Sequence, residues 1–117
     1  MEKRNFTRVE FSECASLKHD GQVFFGDIKN MSLKGLFIHT NQEIPLNTTV
    51  EVTLYSPPGS SFRLYADVVR SEENGLGMQI KGLDVISFVH LRDAIAKRCE
   101  DHELLMAETY KMAGCIH

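Results

Sequence analysis

From Val9 to Lys81 the chain reads as short extended runs cut by turn formers, and in several of them every second residue is apolar. Val9, Phe11, Glu13, Ala15 and Leu17 share one face of an extended run, and His19-Asp20-Gly21 turns it. Gln22 to Ile28 carries Val23, Phe24 and Phe25, Asn30 to Gly35 interrupts, and Gly35 to Thr40 resumes an extended stretch. Val50, Val52 and Leu54 alternate with Glu51, Thr53 and Tyr55, which reads as a half-buried strand. Pro57-Pro58-Gly59-Ser60 is a turn, Phe62, Leu64, Ala66 and Val68 alternate after it, Glu73-Asn74-Gly75 is a hairpin-type turn, and Leu76 to Lys81 closes the set. Six or seven short strands at this spacing predict an antiparallel barrel or sandwich. Closing the sheet on itself removes the exposed edges that such strands otherwise leave.

The last third changes period. Phe88, Leu91, Ile95, His102, Leu105 and Met112 recur at helical steps, so a long amphipathic helix is expected over 86–113, with Ser87 as its N-cap and Gly114 as its stop. Such a helix of about 27 residues is roughly 40 Å long. A barrel of this size has a diameter of about 25–30 Å. The half from Glu103 onward, with Leu104, Leu105, Met106 and Met112, is therefore expected to overhang and to offer an apolar stripe to a second copy or a target protein. The expected organisation is one domain over 1–117, with an arm at 1–9, a barrel at 10–83 and the helix at 86–113.

Composition narrows the function classes. The 117 residues carry a net charge of −3, which argues against a protein that coats nucleic acid. No apolar run reaches the roughly 18 residues of a membrane span, and the N-terminus lacks the apolar core of a signal peptide, so a cytoplasmic protein is expected. Cys14, Cys99 and Cys115 are an odd count without tight spacing and read as free thiols. Cys99 and His102 lie one helical turn apart, but no second pair completes a metal site. No Cys/His or Ser/His/Asp arrangement can be read, so neither a catalytic site nor a cofactor is expected.

Two motifs carry the chemistry. Arg4-Asn5-Phe6-Thr7-Arg8 is an RxxxR preceded by Lys3, and Asn30-Met31-Ser32-Leu33-Lys34-Gly35 is an NxSxxG between two extended runs. In this order, with the glycine-then-hydrophobic run Gly75-Leu76-Gly77-Met78-Gln79-Ile80 and a terminal helix, the chain resembles the PilZ domain family along essentially its whole length. The resemblance implies a mainly β, six- to seven-stranded antiparallel barrel with a long C-terminal helix. It also implies a non-enzymatic receptor for cyclic di-GMP, acting on a separate, unidentified protein in motility, exopolysaccharide or biofilm control. The implied ligand residues are Lys3, Arg4, Arg8, Asn30, Ser32 and Gly35, with Arg70 on a late strand as a further candidate.

The residue types suit that ligand. Cyclic di-GMP is a dianion with two guanines. Guanidinium groups match phosphate oxygens bidentately, pair with guanine O6 and N7, and stack on base faces. Asn30 offers an acceptor to guanine donors, Ser32 can donate or accept, and Gly35 permits positive φ or close backbone approach. The arm is terminal, polar and untethered in this reading, and the ligand would pin it near Asn30 and Ser32. Each residue also has a plainer reading: a solvated basic N-terminus for Lys3, Arg4 and Arg8, turn formation for Asn30 and Ser32, and a surface charge for Arg70. Two other functions stay open. One is a constitutive interaction module of the same fold that binds no nucleotide. The other is a small barrel binding single strands through exposed Phe24, Phe25 and Phe37.

Overall fold

The computed structural model describes residues 6–56 and 60–116. The described residues form six strands, β1 (Val9–His19), β2 (Gln22–Met31), β3 (Gly35–His39), β4 (Thr49–Ser56), β5 (Ser60–Glu72) and β6 (Gly75–Gly82). Two short helices follow, α1 (Val85–Ala96) and α2 (His102–Thr109), then a 3-10 helix at Tyr110–Cys115. The strands close into an antiparallel barrel in the order β1-β2-β3-β6-β5-β4. Sequence-adjacent strands pair into two three-stranded meanders, β1-β2-β3 and β4-β5-β6. Two seams join the meanders: β1 against β4, with Ala15 opposite Leu54, and β3 against β6, with Leu36 opposite Met78.

The local chemistry explains the joints. Asp20 and Gly21 both take positive φ, 54° and 76°, as a two-residue hairpin loop between right-twisted strands requires. The inward residues of the alternation, among them Leu17, Ile28, Ile38, Val52, Leu64 and Ile80, are fully buried. Phe88, Leu91 and Ile95 of α1 join the same core. Truncating one of these side chains to Ala costs about 2–5 kcal/mol, since the cavity adds to the lost burial. A register shift lies between Glu10 and Glu13, and Glu13, partly buried opposite Ile28, accepts from Arg98 Nη2 at 2.9 Å through its carboxylate. Arg98 also lies 4.0 Å over the Phe11 ring and so fastens the end of α1 to β1. The expected turn at 57–59 lies outside the described residues.

The single long helix expected over 86–113 is instead three pieces. Asp84, rather than Ser87, caps α1: its Oδ1 accepts from Ser87 N at 2.7 Å. That hydrogen bond holds the Asp84 carboxyl below its usual range. Ser87 sits inside the first turn, where its hydroxyl accepts from Arg63 N at 3.3 Å. After α1 the chain turns, and Asp101 starts α2 by accepting from Leu104 N at 2.9 Å. Gly114 lies within the 3-10 helix and stops nothing. The fold-back buries Leu105 and Met112, at 3% and 0% exposure, so the overhanging stripe expected from length does not form at those two positions. Leu104, Met106 and Tyr110 remain exposed. The chain then runs beside β6, with Leu83 N donating to Cys115 O at 3.0 Å. No helix among the described residues is long and apolar enough to cross a membrane.

Candidate functional site

The site assembles around β2. At its end Met31 and Leu33 point into the core and leave Asn30 partly exposed on the outward face. Arg8, immediately before β1, donates from Nη1 to Asn30 Oδ1, so the two sequence motifs meet through their side chains. Gly35 lies beneath: a Cβ there would stand 2.7 Å from Met78 O and 3.7 Å from Arg8 Nη2. Its φ is not positive, and the close approach of β6 is what requires a glycine. A cavity of about 540 Å³ opens on this junction and is lined by Phe6, Thr7, Arg8, Asn30, Leu104 and Glu108, among others.

Ser32 has a different place from the one its motif suggests. It is 2% exposed, and its hydroxyl accepts from Lys34 N and Gly35 N, both at 3.1 Å. Ser32 N donates to Gly35 O at 2.8 Å. The side chain thus satisfies the amides of the tight connection from β2 to β3. The turn folds around this hydroxyl, which fits the plainer reading of Ser32 as a turn former.

The barrel register carries the site sideways. Glu10 pairs with Asn30, Asn30 with Phe37, Phe37 with Gly77, and Gly77 with Arg70. Asn30 and Arg70 therefore occupy one outward row across β2, β3, β6 and β5, about 14 Å apart at three strand spacings. Arg70 lies over the Phe37 ring at 5.9 Å and also pairs with Glu72. Gly77 makes this flat arrangement fit, since a Cβ there would stand 3.1 Å from Arg70 Cζ. In the sequence Phe37 stands out only as a stacking surface for single strands, and Gly77 only within the closing glycine-then-hydrophobic run. Their signal is cross-strand register, which a one-dimensional pattern does not contain.

Lys3 and Arg4 lie outside the described residues. The described part of the arm is tethered, contrary to the expectation of a loose segment. Thr7 donates its N–H to Glu108 Oε1 at 2.8 Å and its hydroxyl to Oε2 at 2.7 Å, while Phe6 packs against the core under Lys111. Glu108 is 3% exposed, and it too escaped the sequence reading. Nearby, burial pushes the Cys99 thiol up, and the Glu108 and Asp101 carboxylates add to the effect. Among the described residues no cluster of three or more His, Cys, Asp or Glu could hold a metal ion.

The family model for the PilZ domain matches residues 2–97. The chain belongs to the PilZ domain family. Solved structures agree on the fold. The PilZ domain of YcgR from Escherichia coli, solved with c-di-GMP, aligns with a TM-score of 0.69 at 12% identity, over 96% of this chain and 98% of that one. The Bacillus subtilis inhibitor of motility, MotI/DgrA, aligns with a TM-score of 0.67 at 13% identity over 85% of this chain. The Klebsiella MrkH–c-di-GMP complex gives 0.67 at 14% identity over 83%. The PilZ chain spans 55% and 52% of the MotI and MrkH chains. No curated protein matches the sequence at a significant level.

Proposed function

We propose that this PilZ domain is a cyclic di-GMP receptor that catalyses nothing itself and signals to a separate protein in the cytoplasm. The observation that carries the reading is the contact of Arg8 with Asn30, which brings the two motifs together at the mouth of a cavity. Family membership and the c-di-GMP complexes of the YcgR domain and MrkH support it.

The division of labour follows from chemistry. Arg8 and Arg4 supply planar cations for phosphate oxygens and guanine O6 and N7. Lys3 adds a point charge without the planar fork. Asn30 presents an amide to a base edge. Phe37 under Arg70 forms a flat, cationic platform of the kind that purines stack on. Gly35 and Gly77 keep the floor of the row low, and Ser32 holds the turn that aims Asn30. Outputs in motility, exopolysaccharide or biofilm control belong to the same proposal.

Titration calorimetry tests it. The wild-type chain is expected to bind cyclic di-GMP in the micromolar range or tighter. Losing one charge-assisted bidentate contact in Arg8→Ala should cost about 1.5–3 kcal/mol, roughly ten- to a hundredfold in Kd. Asn30→Ala should weaken binding while its melting temperature holds. Wild-type affinity in both variants would sink the site assignment, and a thermal shift with GTP or an oligonucleotide instead of cyclic di-GMP would sink the ligand.

A further inference from the structure

Glu108 is a buried carboxylate in a segment beyond residue 97, where the family match stops. Both of its oxygens are spent on one residue of the RxxxR arm, the N–H and hydroxyl of Thr7. Thr7 directly precedes Arg8, whose guanidinium is set on Asn30. A second contact links the same C-terminal segment to the other motif: Lys34 Nζ lies 4.0 Å from Cys115 Sγ. Between them, α2 and the 3-10 helix touch both ligand motifs while burying Leu105 and Met112 in the core.

From this geometry we infer that Glu108 is a positioning residue for the receptor site, and that docking of α2 and ligand binding are coupled through its clasp on Thr7. The inference rests on the receptor reading above and deepens it. The physical ground is preorganisation. A backbone fixed at Thr7 presents Arg8 in one place, so the ordering cost of that part of the arm no longer falls on the ligand. Two charge-assisted hydrogen bonds to a buried carboxylate hold better than two to a surface group, because water does not compete for the oxygens. Coupling between two sites is reciprocal, so a ligand that gains from the clasp must also tighten it. A PilZ domain with this clasp would report ligand through α2, with Leu104, Met106 and Tyr110 as the exposed side chains a partner meets.

The test uses the full chain and cyclic di-GMP. Glu108→Gln, which keeps the shape but replaces two charge-assisted hydrogen bonds with weaker neutral ones, and Thr7→Val, which removes the hydroxyl, should each weaken binding about tenfold, measured well below their melting temperatures. Thr7→Ser, which keeps both donors, should bind like wild type. The double variant Glu108→Gln/Thr7→Val should be little worse than either single one, since both break the same contact. Hydrogen exchange should show the amides of α2 protected by ligand in wild type and not in Glu108→Gln. A merely structural role would lower the melting temperature yet leave affinity and ligand-induced protection in place. No binding by wild type sinks the receptor reading and the inference with it. Wild-type binding that Glu108→Gln leaves unchanged or tightens, or α2 amides that lose protection on binding, sinks the inference alone.

Discussion

Where β1 meets β4, the outward side chains close over one another. The Tyr55 hydroxyl lies 3.2 Å from Ser16 Oγ, and Ser16 is 8% exposed although it points away from the core. Phe25 flanks it in register, and the next strand continues with an Arg63–Glu51 ion pair at 3.0 Å. Where β3 meets β6, the outward pairs are Gly35 with Gln79, Phe37 with Gly77, and His39 with Gly75, so every pair contains a glycine. A Cβ on Gly75 would fall 2.6 Å from the Phe37 ring, and one on Gly77 would push Arg70. The first seam satisfies itself with its own side chains. The second is pared down, and the large groups beside it lie flat. In both seams the inward residues are apolar, so what separates a closed surface from an open one is residue size at a few outward positions.

Substitutions can break that comparison. The largest expected effect is on stability, at Ser32→Ala. The turn next to the glycine-lined seam loses the acceptor for two amides, which should cost about 1–3 kcal/mol, or several degrees in melting temperature. A thermal melt checks it, and an unchanged melt would mean water replaces the hydroxyl. Next is Gly77→Ala, which should move Arg70 off Phe37 and lower cyclic di-GMP affinity about three- to tenfold. If calorimetry finds no change, the row beyond Asn30 takes no part in binding. On the closed seam Phe25→Ser should alter neither stability nor affinity by more than about 0.5 kcal/mol. A weakened ligand there would show that the two seams are not distinct in function. The smallest effect is chemical. Cys14 is exposed beside the closed seam, whereas burial raises the Cys99 thiol, so less of its reactive thiolate forms at a given pH. Iodoacetamide at mildly alkaline pH should label Cys14 first, and equal rates, read by peptide mapping, would mean that α2 opens readily.

The barrel was legible because a period of two is a local signal, clear in β1, β4 and β5, and turn formers mark the ends of the other strands. Its irregularities were not. The register shift between Glu10 and Glu13, and the pairing of Glu13 with Arg98, depend on what lies opposite on β2 and after α1. The C-terminal segment misled for a related reason. Helical spacing of apolar residues survives a turn between two helices, so Ile95 and Leu105 stay in step although α1 ends at Ala96. The break does have a signature, the acidic N-cap Asp101, which periodicity outweighed. Asp84 was missed as a cap in the same way, three residues ahead of the serine it serves. At the candidate site, the grouping of Arg8, Asn30 and Gly35 could be read because their motif spacing is fixed along the chain. The places of Phe37, Gly77 and Glu108 beside them could not, because each is set by a strand or helix distant in sequence.

The division into two meanders has a kinetic side. Hairpins β1-β2-β3 and β4-β5-β6 are local and can form early, whereas β1 must find β4 and β3 must find β6 across long loops, which is the slow kind of pairing. Asn30 and Phe37 sit on the first meander, Gly77 and Arg70 on the second. The row they make comes into being only when the β3–β6 seam shuts. A ligand that spans the row acts as a stitch across that seam: it leaves the rate of folding alone and slows the rate at which the closed barrel comes apart.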